Sequence, residues 1–111
     1  MAQVVNFDTL RSLGHASISS SYAAVGTPTL YPARMVKITN NTDGDMLFSV
    51  DGVHDMIFVP AASFTLYDFC TNRLHVDQAF VLPGQTQFYV AYSTSPSKNS
   101  VYVEVIYGNP Q

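Results

Sequence analysis

The 111-residue chain has no tryptophan, one cysteine, one glutamate, and charged residues at only 12%, about half the usual share. Each shortage excludes something. Cys70 alone cannot close an internal disulfide, and beside Phe69 it reads as a buried structural thiol, so stability has to come from packing. Without tryptophan the chain lacks the commonest platform for stacking sugar rings. Five Lys and Arg stand against eight Asp and Glu, a net charge of −3, with no basic cluster to neutralise a run of phosphates; nucleic acid is not an expected partner. No apolar run approaches the roughly 18 residues of a membrane helix, and the start has neither a basic segment nor an apolar core of a signal peptide, so the expected site of synthesis and assembly is the cytoplasm. The six glycines are isolated turn residues rather than a phosphate cradle. No CysxxCys, HisGluxxHis or GlyxSerxGly spacing occurs.

What the chain does have is apolar residues, 47% of the total, enough for one core in one domain. From residue 17 onward they recur at every second position, the period of extended strands. Val36 and Ile38 alternate with Met35 and Lys37; Met46, Phe48 and Val50 alternate with Leu47 and Ser49. The AsnAsnThrAspGly link between them predicts a hairpin, with Asp43 and Gly44 supplying positive φ. Asp51–Gly52 marks a second turn before a short strand at 56–59 that Pro60 ends. Further strands are expected at 63–69, 79–82, 87–92 and 101–107. The last of these, with Val101, Val103, Val105 and Tyr107 on one face and Tyr102, Glu104 and Ile106 on the other, is expected to be central. A strand also fits 18–24. Seven or eight short strands joined by Gly, Pro, Asn and Asp turns predict an all-β fold, a single antiparallel β-sandwich of jelly-roll type.

Residues 1–15 stand apart from the sandwich at 16–111 as an arm or cap. Asn6 or Asp8 could cap one helical turn carrying Phe7, Leu10 and Leu13 before Gly14 stops it; a strand or turn packed on the domain's own core fits equally. Asp43, Asp45, Asp51 and Asp55 fall in adjacent turns, where oxygen ligands could surround calcium, but the spacing fits no EF-hand and turn geometry explains them more simply. His54 beside Asp55, and His75 beside Asp77 and Cys70, supply the residue types of a zinc or nucleophilic site without its spacing. Glu104 lies mid-strand, where Lys37 or Arg34 is the expected cross-strand partner. The expectation is a protein with no catalytic residues, no cofactor and no metal.

The stretches ValLysIleThrAsnAsnThrAspGlyAspMetLeuPheSerValAspGly (36–52), PheValProAlaAlaSerPheThrLeuTyrAspPhe (58–69), GlyGlnThrGlnPheTyrVal (84–90) and SerValTyrValGluValIleTyr (100–107) resemble small virion proteins of tailed phages. The resemblance is greatest to the capsid cement, or stapling, proteins of the epsilon-fifteen group of short-tailed phages, and it covers most of the domain. It implies a decoration protein on the capsid exterior, partnered with the major capsid protein, present as a homodimer and acting without chemistry. No family motif assigns contact residues; Phe7, Leu10, Arg11 and Leu13 of the N-terminal segment are the expected ones. The alternative is a carbohydrate-binding or receptor-recognising sandwich of a virion. A small hydrolase using His54 or His75 is a third.

Overall fold

The computed structural model describes residues 3–69 and 81–110, and among these the regular structure is nine strands and one turn of 3-10 helix. The strands are β1 (Gln3–Phe7), β2 (Arg11–Gly14), β3 (Ala23–Ala24), β4 (Ala33–Asn40), β5 (Met46–Ser49), β6 (Ile57–Val59), β7 (Ser63–Asp68), β8 (Tyr89–Tyr92) and β9 (Ser100–Pro110). They form two antiparallel sheets. In the larger, β9 is flanked by β1 and β2 on one side and by β4 on the other, and β4 pairs with β7; the smaller runs β3-β8-β5-β6.

β1 and β2 lie end to end along β9, β1 on Ile106–Pro110 and β2 on Ser100–Val103, so they act as one bent edge strand. Counted that way, eight strand positions in the orders 1-8-3-6 and 2-7-4-5 make a jelly roll, the expected fold. The alternation explains the layers. Val36 and Ile38 of β4, Val101, Val103 and Val105 of β9, Met46 and Phe48 of β5, and Val90 of β8 meet in one core. The long C-terminal strand is paired on both sides, as its unbroken period suggested.

The local expectations fare unevenly. The segments around Val36 and Phe48 are not a hairpin: β4 belongs to the large sheet and β5 to the small one, and the AsnAsnThrAspGly link is a corner between sheets. Asn40, fully buried, holds that corner. Its amide donates to the carbonyls of Gly44 (2.8 Å), Val59 (3.0 Å) and Pro60 (3.1 Å), and its Oδ1 accepts from Thr42 N (3.0 Å) and Oγ1 (2.6 Å). Gly44 is needed for close approach rather than positive φ, since a Cβ there would lie 2.2 Å from the Thr94 carbonyl oxygen. Residues 7–13 form strand and bulge rather than a helical turn, because pairing with β9 satisfies more backbone groups than one isolated turn could. Of 18–24 only Ala23–Ala24 is strand, although Ile18 is buried in the core. Of the strand expected at 79–82, Ala79 and Phe80 lie outside the described residues, while Leu82 bridges Ala33 through paired backbone bonds of 2.8 and 2.9 Å.

Candidate functional site

Phe7 pairs with Ile106 and Arg11 with Val103, so three residues, Asp8, Thr9 and Leu10, stand opposite two, Val105 and Glu104. This is a β-bulge, a device that bends an edge strand and re-aims its side chains. The Asp8 and Arg11 side chains turn inward and are 1% and 2% exposed. The Arg11 guanidinium donates to the carbonyls of Thr27 (2.6 Å), Thr9 (2.7 Å) and Pro28 (2.9 Å) and meets Asp8 Oδ2 at 3.4 Å. Asp8 Oδ2 also accepts from Leu30 N at 3.2 Å. The bracket ties the N-terminal edge strand to the loop at 27–30. Gly26, at φ +66°, makes room for it, because a Cβ there would sit 2.7 Å from Arg11 Cγ.

Of the four residues singled out from the sequence, Phe7 (78% exposed) and Leu10 present side chains to solvent; Leu13 is half-buried against the core and Arg11 is buried. The bracket adds two that the sequence reading did not pick. Leu30 and Tyr31, on the tied loop, are exposed, and the Tyr31 ring packs on Tyr107 with centroids 4.7 Å apart. Phe7 and Leu10 thus flank the buried pair along the edge strand, and Leu30, bonded to Asp8, and Tyr31 flank it on the tied loop. An AspxxArg spacing at the end of an exposed apolar segment was the available signal.

A second surface is the outward face of the large sheet. Cross-strand register places Phe64, Thr39, Tyr102 and Ser12 in one row, Leu66, Lys37 and Glu104 in the next, and Asp68, Met35, Ile106 and Phe7 in a third, so Phe7 belongs to this face as well. Phe64 and Leu66 are 62% and 51% exposed. Glu104 does face Lys37 across the strands, as expected, but the Lys37 ammonium lies over the Phe64 ring, 4.8 Å from its centroid.

The aspartates have other work. Asp43 accepts from the Ser97 hydroxyl and from its N–H (2.7 Å), Asp45 from Ala61 N (2.9 Å), and Asp55 from the Tyr22 hydroxyl. Asp51 accepts from Val53 N (2.8 Å), His54 N (2.9 Å) and Ser49 Oγ (2.7 Å), and its Oδ2 meets His54 Nδ1 at 2.7 Å. They are turn anchors, and no group of three or more metal-ligating side chains occurs among the described residues. The N–H and ring of His54 hold Asp51 below the ordinary carboxylate range, and Asp51 in turn raises His54. Desolvation first, then its bond to Asp55, pushes Tyr22 up to about 12. His54 is exposed, and among the described residues no nucleophile bonds its ring; His15 Nδ1 lies 3.2 Å from the Asn99 carbonyl. Cys70, His75 and Asp77 lie outside the described residues. An apolar cleft of about 330 Å³ between the sheets, lined by Ile38, Ile57, Tyr67, Leu82 and Phe88 among others, has no acid–base pair among the described residues.

The Ser97 bonds lower Asp43 to about 2. The folded value lies below the unfolded one near 3.9, so the contribution of this pair is complete above about pH 5 and is lost as the pH falls toward 2. Denaturant unfolding between pH 5 and 2 is expected to show a shallower acid loss in Ser97→Ala than in the parent; identical slopes would contradict the assignment.

Neither a family model nor a curated protein matches the sequence. Among solved structures, the fold is similar to a chain of the cyanophage Pam1 capsid asymmetric unit, with a TM-score of 0.59 and 15% identity over 97% of this chain and 86% of that one. Lower likeness is found to the virus-like particle of extra small virus from the prawn Macrobrachium rosenbergii (TM-score 0.48, 7% identity, 100% and 82% covered). The Dit protein of phage SPP1 follows (TM-score 0.42, 14% identity, 93% and 49% covered). At these identities the likeness to the Pam1 chain is one of fold.

Proposed function

We propose that this chain is a structural virion protein that binds the outer surface of a phage capsid and clamps neighbouring major-capsid subunits together. The observation that carries the reading is the apolar end built on the Asp8–Arg11 bracket, with Phe7, Leu10, Leu30 and Tyr31 exposed on a fixed backbone. Apolar side chains held rigidly in water lose little entropy when covered, which suits adhesion. The likeness in fold to a chain of a phage capsid asymmetric unit supports the same reading. Phe7, Leu10, Leu30 and Tyr31 touch the shell, while Arg11 and Leu13 hold the strand that presents them.

Copies act in pairs, so that each pair offers two such ends and spans two capsid subunits. A protein that recognises a surface formed only by assembled subunits stabilises the shell by its differential affinity, and many modest contacts on one closed surface add up. No bond is made or broken.

The test begins with the reading frames beside the gene, which should encode a major capsid protein and a portal. The recombinant chain is then pelleted with shells assembled from that capsid protein. Near-stoichiometric co-sedimentation, weakened at least tenfold by combining Phe7→Ser with Tyr31→Ser, is the expected result. Deleting residues 2–13 is a poor substitute because it removes an edge strand. Recovery of the parent chain in the supernatant, or specific glycan binding without shell binding, overturns the reading.

A further inference from the structure

The bulge between β1 and β2 leaves a groove of about 390 Å³ lined by Phe7, Asp8, Leu10, Glu104 and Val105. The Asp8 and Val105 side chains point into the protein, so Phe7, Leu10 and Glu104 are the side chains it presents to solvent. Two of these are apolar and the third is an anion without an answer: among the described residues no ion pair or side-chain hydrogen bond reaches the Glu104 carboxylate. The cations on both strands that flank β9 there are engaged elsewhere. Arg11 of β2 is buried and directs its guanidinium to Asp8 and to the carbonyls of Thr9, Thr27 and Pro28. Lys37 of β4 lies opposite Glu104 in register, yet its ammonium sits over the Phe64 ring. In water an unpaired carboxylate is well solvated. A shell that covers Phe7 and Leu10 strips that water from Glu104 as well, and this is costly unless the shell brings a cation in return.

We infer that the groove receives an arginine side chain of a capsid subunit, its guanidinium paired with Glu104 and its plane laid against Phe7. The inference rests on the shell-binding reading above and names the partner chemistry of that same site. Arginine fits the groove better than lysine for three reasons. Its planar fork meets a carboxylate through two parallel N–H···O bonds. Its face stacks on an aromatic ring, and Phe7, 78% exposed, has a ring to offer. It is more weakly hydrated than an ammonium, so it loses less on passing between apolar walls, and its methylenes can lie along Leu10. The net charge of −3 on the chain draws a cationic patch toward it before contact. The apolar side chains then supply adhesion, while the arginine decides where on the shell they are laid, since a docking that leaves Glu104 covered and unpaired is rejected.

Co-sedimentation with assembled shells tests this through Glu104→Gln, which removes the charge and keeps the shape. The variant is expected to bind about tenfold more weakly than the parent, and Glu104→Arg about a hundredfold more weakly, because like charges across an interface repel. Blocking the arginines of the shells with butanedione before mixing is expected to bring the parent down to the level of Glu104→Gln while leaving that variant nearly unchanged, the mark of a coupled pair. Acetylating the shell lysines instead leaves the difference between parent and variant in place. Electron microscopy confirms that the treated shells are intact, and far-ultraviolet circular dichroism that both variants fold. A parent chain that stays in the supernatant of untreated shells overturns the capsid reading, and this inference with it. A parent that sediments with the shells overturns the arginine alone if Glu104→Gln binds equally well, if arginine blocking weakens both chains alike, or if lysine acetylation erases the difference.

Discussion

Replacing Arg11 by methionine is expected to lower the stability of the fold by about 3–5 kcal/mol, the usual loss when one partner of a buried charged pair is removed. Methionine keeps most of the side-chain volume against Gly26 while deleting every donor. The carbonyls of Thr9, Thr27 and Pro28 lose a charged hydrogen bond each, and the Asp8 carboxylate stays buried with only backbone donors. The 3.4 Å separation from Asp8 is long for an ion pair, so much of the loss comes from the three carbonyls. Chemical denaturation measures it, and Asp8→Asn with the double variant completes a cycle in which coupling of about 1 kcal/mol or more identifies a joint role. A loss below 1 kcal/mol for Arg11→Met would show that the bracket is ornamental. Because the edge strand rests on this bracket, the same variant should expose the amides of Phe7 and Leu30 to hydrogen exchange before the core opens.

Asn40→Asp is expected to be comparably severe. The substitution is isosteric, yet it replaces an amide that donates to three carbonyl oxygens with a carboxylate facing the same three at 2.8–3.1 Å. The site is fully buried; the carboxylate must either repel those oxygens or take up a proton at a pH where water would leave it ionised. A loss of about 3 kcal/mol or more at pH 7, diminishing toward pH 4 as protonation restores one donor, is the expected pattern in urea titrations. A loss that does not change with pH would assign the effect to something other than the charge. Asn40→Ala removes the charge question, costs about 1–3 kcal/mol through unsatisfied carbonyls and lets the corner between the sheets loosen.

These two side chains also mark the limit of what the sequence made legible. Period-two alternation identified the faces of β4, β5 and β9, because burial on one side of a sheet leaves that trace in every second residue: Val36, Ile38, Val101, Val103 and Val105 all point inward. Which strands pair is set by where the chain crosses between sheets. That depends on buried polar hubs such as Asn40, and in the sequence Asn40 looks like any other turn residue. The segment at 7–13 stayed open between a helical turn and a strand for a related reason: Phe7, Leu10 and Leu13 have helical spacing only because a bulge inserts one residue between strands that otherwise alternate. At the surface, Phe7 and Leu10 were legible as apolar residues outside the core pattern. Leu30 and Tyr31 were not, since their position follows from the bond between Leu30 and Asp8, 22 residues apart in the chain.

In the ladder between β1 and β9, Gln3 lies opposite Pro110. Both ends of the described fold therefore leave from the same place. A tether pulling on the two ends in opposite directions would load the rungs of that ladder one at a time, as a zipper opens, rather than all at once in shear. Force applied through the apolar end and the sheet face would instead be spread over the whole sandwich. The molecule is mechanically strong along one direction and easily unzipped along another, and anything anchored to its termini inherits the weaker axis.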